Sequence, residues 1–148
     1  GYTSAAKKSV IKNNHATINK FIVAELTMCS VDLDNKILKM NDGSSLDCYD
    51  VYGDLSTDTV TRHMVNYVRE NYKNVFNNNS IVANMGWMHN NPCNAHGTEE
   101  SNNQEEGTHT LGVSNYDGQS PTFRIDTCFE VMAYGENTQL RNATVLDN

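Results

Sequence analysis

The chain has 148 residues, is 38% hydrophobic and carries a formal charge of −7. That length suits one domain whose core hides roughly two-thirds of the unfolded surface. No run approaches about 18 apolar residues, no segment has the order of a signal peptide, and the acidic balance is wrong for non-specific duplex binding; these observations argue against a membrane span, a secretion leader and a nucleic-acid coat within this stretch.

The charge is unevenly placed. Residues 1–24 hold Lys7, Lys8, Lys12 and Lys20 and no acid, whereas the remaining 124 residues hold seven bases and eighteen acids. Residues 3–29 are predicted to form one long amphipathic helix, with Thr3 or Ser4 as N-cap. Stepping about 100° per residue from Ile11 places Ile18, Ile22, Leu26 and Cys29 on one stripe, widened by Val10, Phe21 and Met28. The stripe begins only at Val10, so residues 1–9 have little core to pack against. His15 falls on the apolar side and is expected to be packed and hydrogen-bonded.

Residues 30–55 are irregular and polar, with Ile37-Leu38-Lys39-Met40 a candidate short strand entering the turn Asn41-Asp42-Gly43. Residues 57–76 are predicted to form a second helix on the spacing of Val60, Met64, Tyr67, Val68, Tyr72, Val75 and Phe76. Ser56 or Thr57 would cap it and Asn77-Asn78-Asn79 would stop it. His63 precedes the core position Met64 and is expected to face solvent. Residues 80–107 are expected to form a long surface loop after the short apolar run Ile81-Val82-Ala83.

The last third alternates with period two. Phe123, Ile125, Thr127, Phe129, Val131 and Ala133 lie on the face expected to be buried, against Arg124, Asp126, Cys128 and Glu130 on an outer face. This strand, with others near 108–115 and 138–146 beyond turns at Asp117–Pro121 and Gly135–Asn137, predicts an antiparallel three-strand meander. The expected fold class is α+β: a helix in 1–29, a loop at 30–55, a second helix within 56–79, a loop at 80–107 and an antiparallel sheet over 108–148, as one domain.

Four cysteines in so short a chain suggest disulfides and an oxidising compartment. Their order pairs neighbours, Cys29 with Cys48 and Cys93 with Cys128, although four cysteines allow three pairings. His89, Cys93, His96 and Glu99 have zinc-ligand types, but a zinc site needs Cys93 as a free thiolate. Glu99, Glu100, Glu105, Glu106 and Asp117 match no EF-hand spacing and are expected to be a solvated charge run. Trp87, between Met85 and Met88, is expected to be a core anchor. Asn78-Asn79-Ser80 and Asn142-Ala143-Thr144 are glycosylation sequons in form only. No nucleophile elbow, phosphate loop or dinucleotide fingerprint is present, so the expectation is no catalysis, no cofactor and no metal.

The opening run Gly-Tyr-Thr-Ser-Ala-Ala-Lys-Lys-Ser-Val-Ile-Lys, at 1–12, resembles a type IV pilin or pseudopilin just after that family's apolar N-terminal segment. The continuation Asn-His-Ala-Thr-Ile-Asn-Lys-Phe-Ile-Val-Ala-Glu-Leu-Thr-Met-Cys, at 14–29, resembles pilin-like proteins of marine bacteria. The resemblance covers about a fifth of the chain; beyond it only the order of elements agrees. It implies a structural subunit of a type IV pilus or secretion pseudopilus, held in the inner membrane before assembly and displayed in a cell-surface filament afterwards. The family's methylated first residue, nearby glutamate and long apolar stretch are absent, so this chain is expected to be a monomeric head fragment. The full-length protein would assemble with copies of itself and have no direct nucleic-acid partner. The alternative expectation is a secreted or surface module binding calcium or a glycan through the acidic loop 93–107.

Overall fold

The computed structural model describes residues 3–52, 57–76, 81–86, 106–114, 121–129 and 139–146. It is an α+β arrangement: a long N-terminal helix, α1 (Ser4–Val31), and a second helix, α3 (Thr57–Asn71), share one core with a four-stranded mixed sheet.

α1 begins where expected because Thr3 caps it; the Thr3 hydroxyl accepts from the Ala6 N–H at 3.1 Å. It runs two residues beyond the predicted end and stops at the extended residue Asp32, whose N–H still donates to the Met28 carbonyl. Twenty-eight residues make a rod about 42 Å long. Its buried stripe is Ile11, His15, Ile18, Ile22, Leu26 and Cys29, the i, i+3/i+4 series of a single helix face. The stripe is narrower than predicted. Phe21 is 39% exposed and Met28 49%, Phe21 lying at the rim with its ring stacked on Tyr67 of α3.

The segment after α1 holds more structure than a polar loop. A short antiparallel ladder joins β1 (Lys36–Ile37) to β2 (Leu46–Asp47), and the five-residue helix α2 (Cys48–Tyr52) follows. The predicted strand over 37–40 fails after Ile37 because Leu38 adopts φ +52°, a left-handed conformation that breaks a strand. The Asn41-Asp42-Gly43 turn forms as expected. Gly43 takes φ +88°, and the Asp42 carboxylate accepts from the N–H and hydroxyl of Ser44.

α3 buries Val60, Met64, Val65 and Val68 against the sheet. It ends at Asn71 rather than Phe76. The Asn71 side chain donates to the Tyr67 carbonyl, and Asn74 diverts the chain by accepting from the Phe76 N–H and donating to the Glu106 carbonyl. These amide bonds replace the helical turn that Val75 and Phe76 were expected to continue. His63 is half-buried, not solvent-facing, with Nε2 2.7 Å from the carbonyl of Leu38.

The sheet has the order β3 (Ala83–Met85), β4 (His109–Ser114), β5 (Thr122–Cys128), β6 (Gln139–Val145). β4, β5 and β6 form the antiparallel meander read from the alternation. The apolar run near 81–83 supplies a fourth strand, β3, parallel to β4, in place of loop. On the inner face Leu111 and Val113 lie opposite Ile125 and Phe123 and pack with Ile18, Ile22, Leu26, Val60, Met64 and Val68 in one cluster. Phe123 and Ile125 are fully buried, as the odd-face register required. β5 stops at Cys128, short of the expected Ala133; Phe129 is half-buried, and 130–138 lie outside the described residues. On the even face, expected to be the outer one, Asp126 and Cys128 are buried as well.

Candidate functional site

At one edge of the inner face a polar chain links three strands to α1. His109 on β4 and Thr127 on β5 are directly opposite partners in the ladder, which sets them side by side. His109 Nδ1 lies 2.6 Å from the Thr127 hydroxyl, and His15 Nδ1 reaches the same hydroxyl at 2.7 Å from above. His15 Nε2 lies 2.6 Å from Oδ1 of Asn142 on β6. Both rings and the hydroxyl are buried.

Donor and acceptor counting fixes the protons. Asn142 Oδ1 accepts only, so neutral His15 carries its proton on Nε2 and presents a lone pair at Nδ1. The Thr127 hydroxyl donates into that lone pair. Its oxygen then accepts from His109 Nδ1–H, which leaves Nε2 of His109 unprotonated and without a partner among the described residues. The chain therefore runs one way, from His109 through Thr127 and His15 to Asn142. A proton added at His15 Nδ1 reverses the chain: Nδ1–H donates to the Thr127 oxygen, the hydroxyl turns to His109 Nδ1, and the His109 proton moves to Nε2, which has no acceptor among the described residues, at a cost of about 1–3 kcal/mol.

The electrostatics agree. Burial pushes the His15 pKa down, opposed by its bond to Asn142 and by the charge of Asp126. Burial, with a smaller contribution from the charge of His15, pushes His109 down to about 3. On the opposite face of β5, Asp126 meets two cations. Arg141 Nε donates to Oδ1 at 2.6 Å from the cross-strand position, and Arg124 Nε lies 3.0 Å from Oδ2. Two cations on one buried carboxylate offset its desolvation and fasten β6 to β5. The His–Thr–His chain is buried and binds helix to sheet.

The predicted residues fall as follows. Cys29 and Cys48 are bonded, with Cα atoms 5.0 Å apart, tying the last turn of α1 to the first residue of α2. Cys128 is also disulfide-bonded; its expected partner Cys93 lies outside the described residues. So do Trp87, His89, His96, Glu99, Glu100, Glu105, Asp117 and the Asn78 sequon. Glu106 is half-buried, and its carbonyl accepts from Asn74. His15 is packed and hydrogen-bonded, as expected. The basic start of α1 is less bare than expected: Lys7 stands 5.8 Å from the ring centre of Phe76, and Lys12 4.5 Å from that of Phe129. The sequence reading missed His109, Thr127 and Asn142 as partners of His15. The one available signal was parity, since His109 shares the alternation of Leu111 and Val113 and so points inward.

Comparison with protein-family models, with characterised proteins and with solved structures finds no match.

Proposed function

We propose that this chain is the head domain of a filament subunit of the type IV pilin or pseudopilin kind, with a structural and not an enzymatic role. The observation that carries the proposal is α1 itself. It is a single rod of 28 residues, laid along β5 and β6, whose other face is exposed along its length. Such a helix serves two surfaces, the sheet beneath it and whatever lies outside. Its first half carries only positive charge, and its last turn is locked by the Cys29–Cys48 bridge. The build favours a stem fixed rigidly in a head.

On this proposal the apolar part of the stem precedes Tyr2. It crosses the inner membrane before assembly and packs against copies of itself afterwards, in a filament at the cell surface. Disulfides fit a domain that folds on the periplasmic side. The isolated head is then a monomer. The test is to express the full-length gene with a pilus assembly system and label the cell surface for this domain. Labelled filaments support the proposal. A released soluble protein without filaments refutes it and favours the calcium- or glycan-binding module.

A further inference from the structure

The two edges of the sheet are finished differently. Hydrogen-bond parity fixes which main-chain groups face outward on each. The Leu146 N–H donates to the Pro121 carbonyl, in step with the β5–β6 register, and the Cys128 N–H donates to the Thr108 carbonyl, in step with β4–β5. Even-numbered residues of β5 therefore bond to β4 and odd-numbered ones to β6. On β6 the even-numbered residues bond back to β5. The odd-numbered ones turn their N–H and C=O away from the sheet.

At the other edge the same parity turns Ile81, Ala83 and Met85 outward, since Val82 and Gly86 bond to β4. That edge is capped by side chains. The Ile81 carbonyl accepts from Asn74 and Thr108, and the Ala83 carbonyl accepts from Arg69 Nε at 2.9 Å. The Met85 N–H donates to Asn84 Oδ1 at 2.9 Å. The last residues of β6 differ. Among the described residues nothing bonds the outward N–H and C=O of Ala143 or Val145. Both are exposed, Val145 by 59%. The stretch Ala143-Thr144-Val145 also lacks the lysine or proline with which proteins commonly protect an edge.

We propose that the edge of β6 at 143–145 is a docking site for an extended segment of a partner protein, which adds to the sheet as a further strand. Donors and acceptors recurring along one line are matched by an extended main chain; a helix has spent its own groups internally. Copies of this chain that point and face the same way would bring β3 to this edge, and the caps on β3 already occupy its outward groups. The partner is therefore a different chain. Its side chains follow from the faces of the sheet. Beside Ala143, whose methyl is small, the outer face has room for a large apolar side chain against Val145. On the inner side, Lys12 is exposed on α1 one turn before His15, which binds Asn142 of β6. It supplies positive charge there, so the partner strand carries an acidic residue on that face. The inference concerns the head alone and does not rest on the filament proposal.

A library of random peptides displayed on phage, selected against this chain, tests it. Enriched peptides are expected to alternate apolar and polar residues and to carry an acid. In the unbound protein the Ala143 and Val145 amides are expected to exchange hydrogen freely, and Asn142 and Thr144 slowly. A selected peptide is expected to slow exchange at Ala143 and Val145. Ala143→Pro removes an outward N–H and no bond of the β5–β6 ladder, which an edge strand tolerates. It is expected to weaken binding about tenfold, and Lys12→Gln about threefold for acid-bearing peptides. Protected Ala143 and Val145 amides in the unbound protein, no enriched peptide, enriched peptides without an acid, a footprint elsewhere, or undiminished binding to Ala143→Pro would each overturn the proposal. So would a dimer of this chain that protects the same amides. If Ala143→Pro does not fold, the exchange footprint decides.

Discussion

The bridge between Cys29 and Cys48 gives the sharpest stability prediction. It joins residues 19 apart in sequence, and both are fully buried. Without it, the unfolded chain gains the freedom of an open loop of about 20 residues, worth about 3 kcal/mol by the loop-entropy relation. Replacing two buried sulfurs by hydrogen adds a cavity cost on the order of 1 kcal/mol. The double variant Cys29→Ala/Cys48→Ala should therefore lose about 3–4 kcal/mol, a large part of a typical domain's stability. Reduction is the wrong perturbation, because Cys128 is bonded too. The assay is urea unfolding followed by circular dichroism. With a slope of about 2 kcal/mol per molar, the midpoint should fall by about 1.5–2 M. A loss under about 1 kcal/mol would refute the reasoning, since it would mean that α1 and α2 already stay together in the unfolded chain.

Phe123 is fully buried at the centre of the core cluster, so Phe123→Ala should cost about 3–5 kcal/mol in the same unfolding assay. Gly107 has φ +89°, and a Cβ there would run into the side-chain amide of Asn74; Gly107→Ala should cost more than about 1 kcal/mol and weaken hydrogen-exchange protection where β4 begins. His109 titrates at about 3 in the folded protein against about 6.5 unfolded. The unfolded state therefore binds the proton first, stability is level above about pH 7.5, and by pH 5 this residue alone removes about 2 kcal/mol. Comparing unfolding free energies of wild type and His109→Asn at pH 7.5 and 5 isolates that contribution; the variant should show the smaller fall.

Periodicity carried the parts of the fold that a sequence can display. The 3.6-residue stripe from Ile11 to Cys29 and the two-residue alternation through Phe123 and Ile125 both set which face is buried, and both read correctly. The errors lie where single residues act through partners distant in sequence. Nothing local marks Leu38 for a left-handed backbone, and Asn74 stops α3 with bonds to chain 32 residues away. β3 is three residues long and gains its place by parallel pairing with β4, which period-two reading cannot see. The His15 site was half legible. Helix geometry put the ring on the apolar side, but its partners are 112 and 127 residues further on, and only the register of β4, β5 and β6 brings them together.

The central claim is that the exposed face of α1 belongs to a stem that packs against other copies. Cysteine pairs on that face test it most directly. Single cysteines at Ala16, Lys20 and Ala24, each exposed on α1, would be introduced into the full-length protein, expressed with its assembly system and oxidised on intact cells. The proposal predicts disulfide-linked dimers from at least one α1 position, and none from an exposed control such as Asp58 on α3 that the stem does not carry. Monomer at every α1 position, on cells where the protein is made and exported, would contradict it.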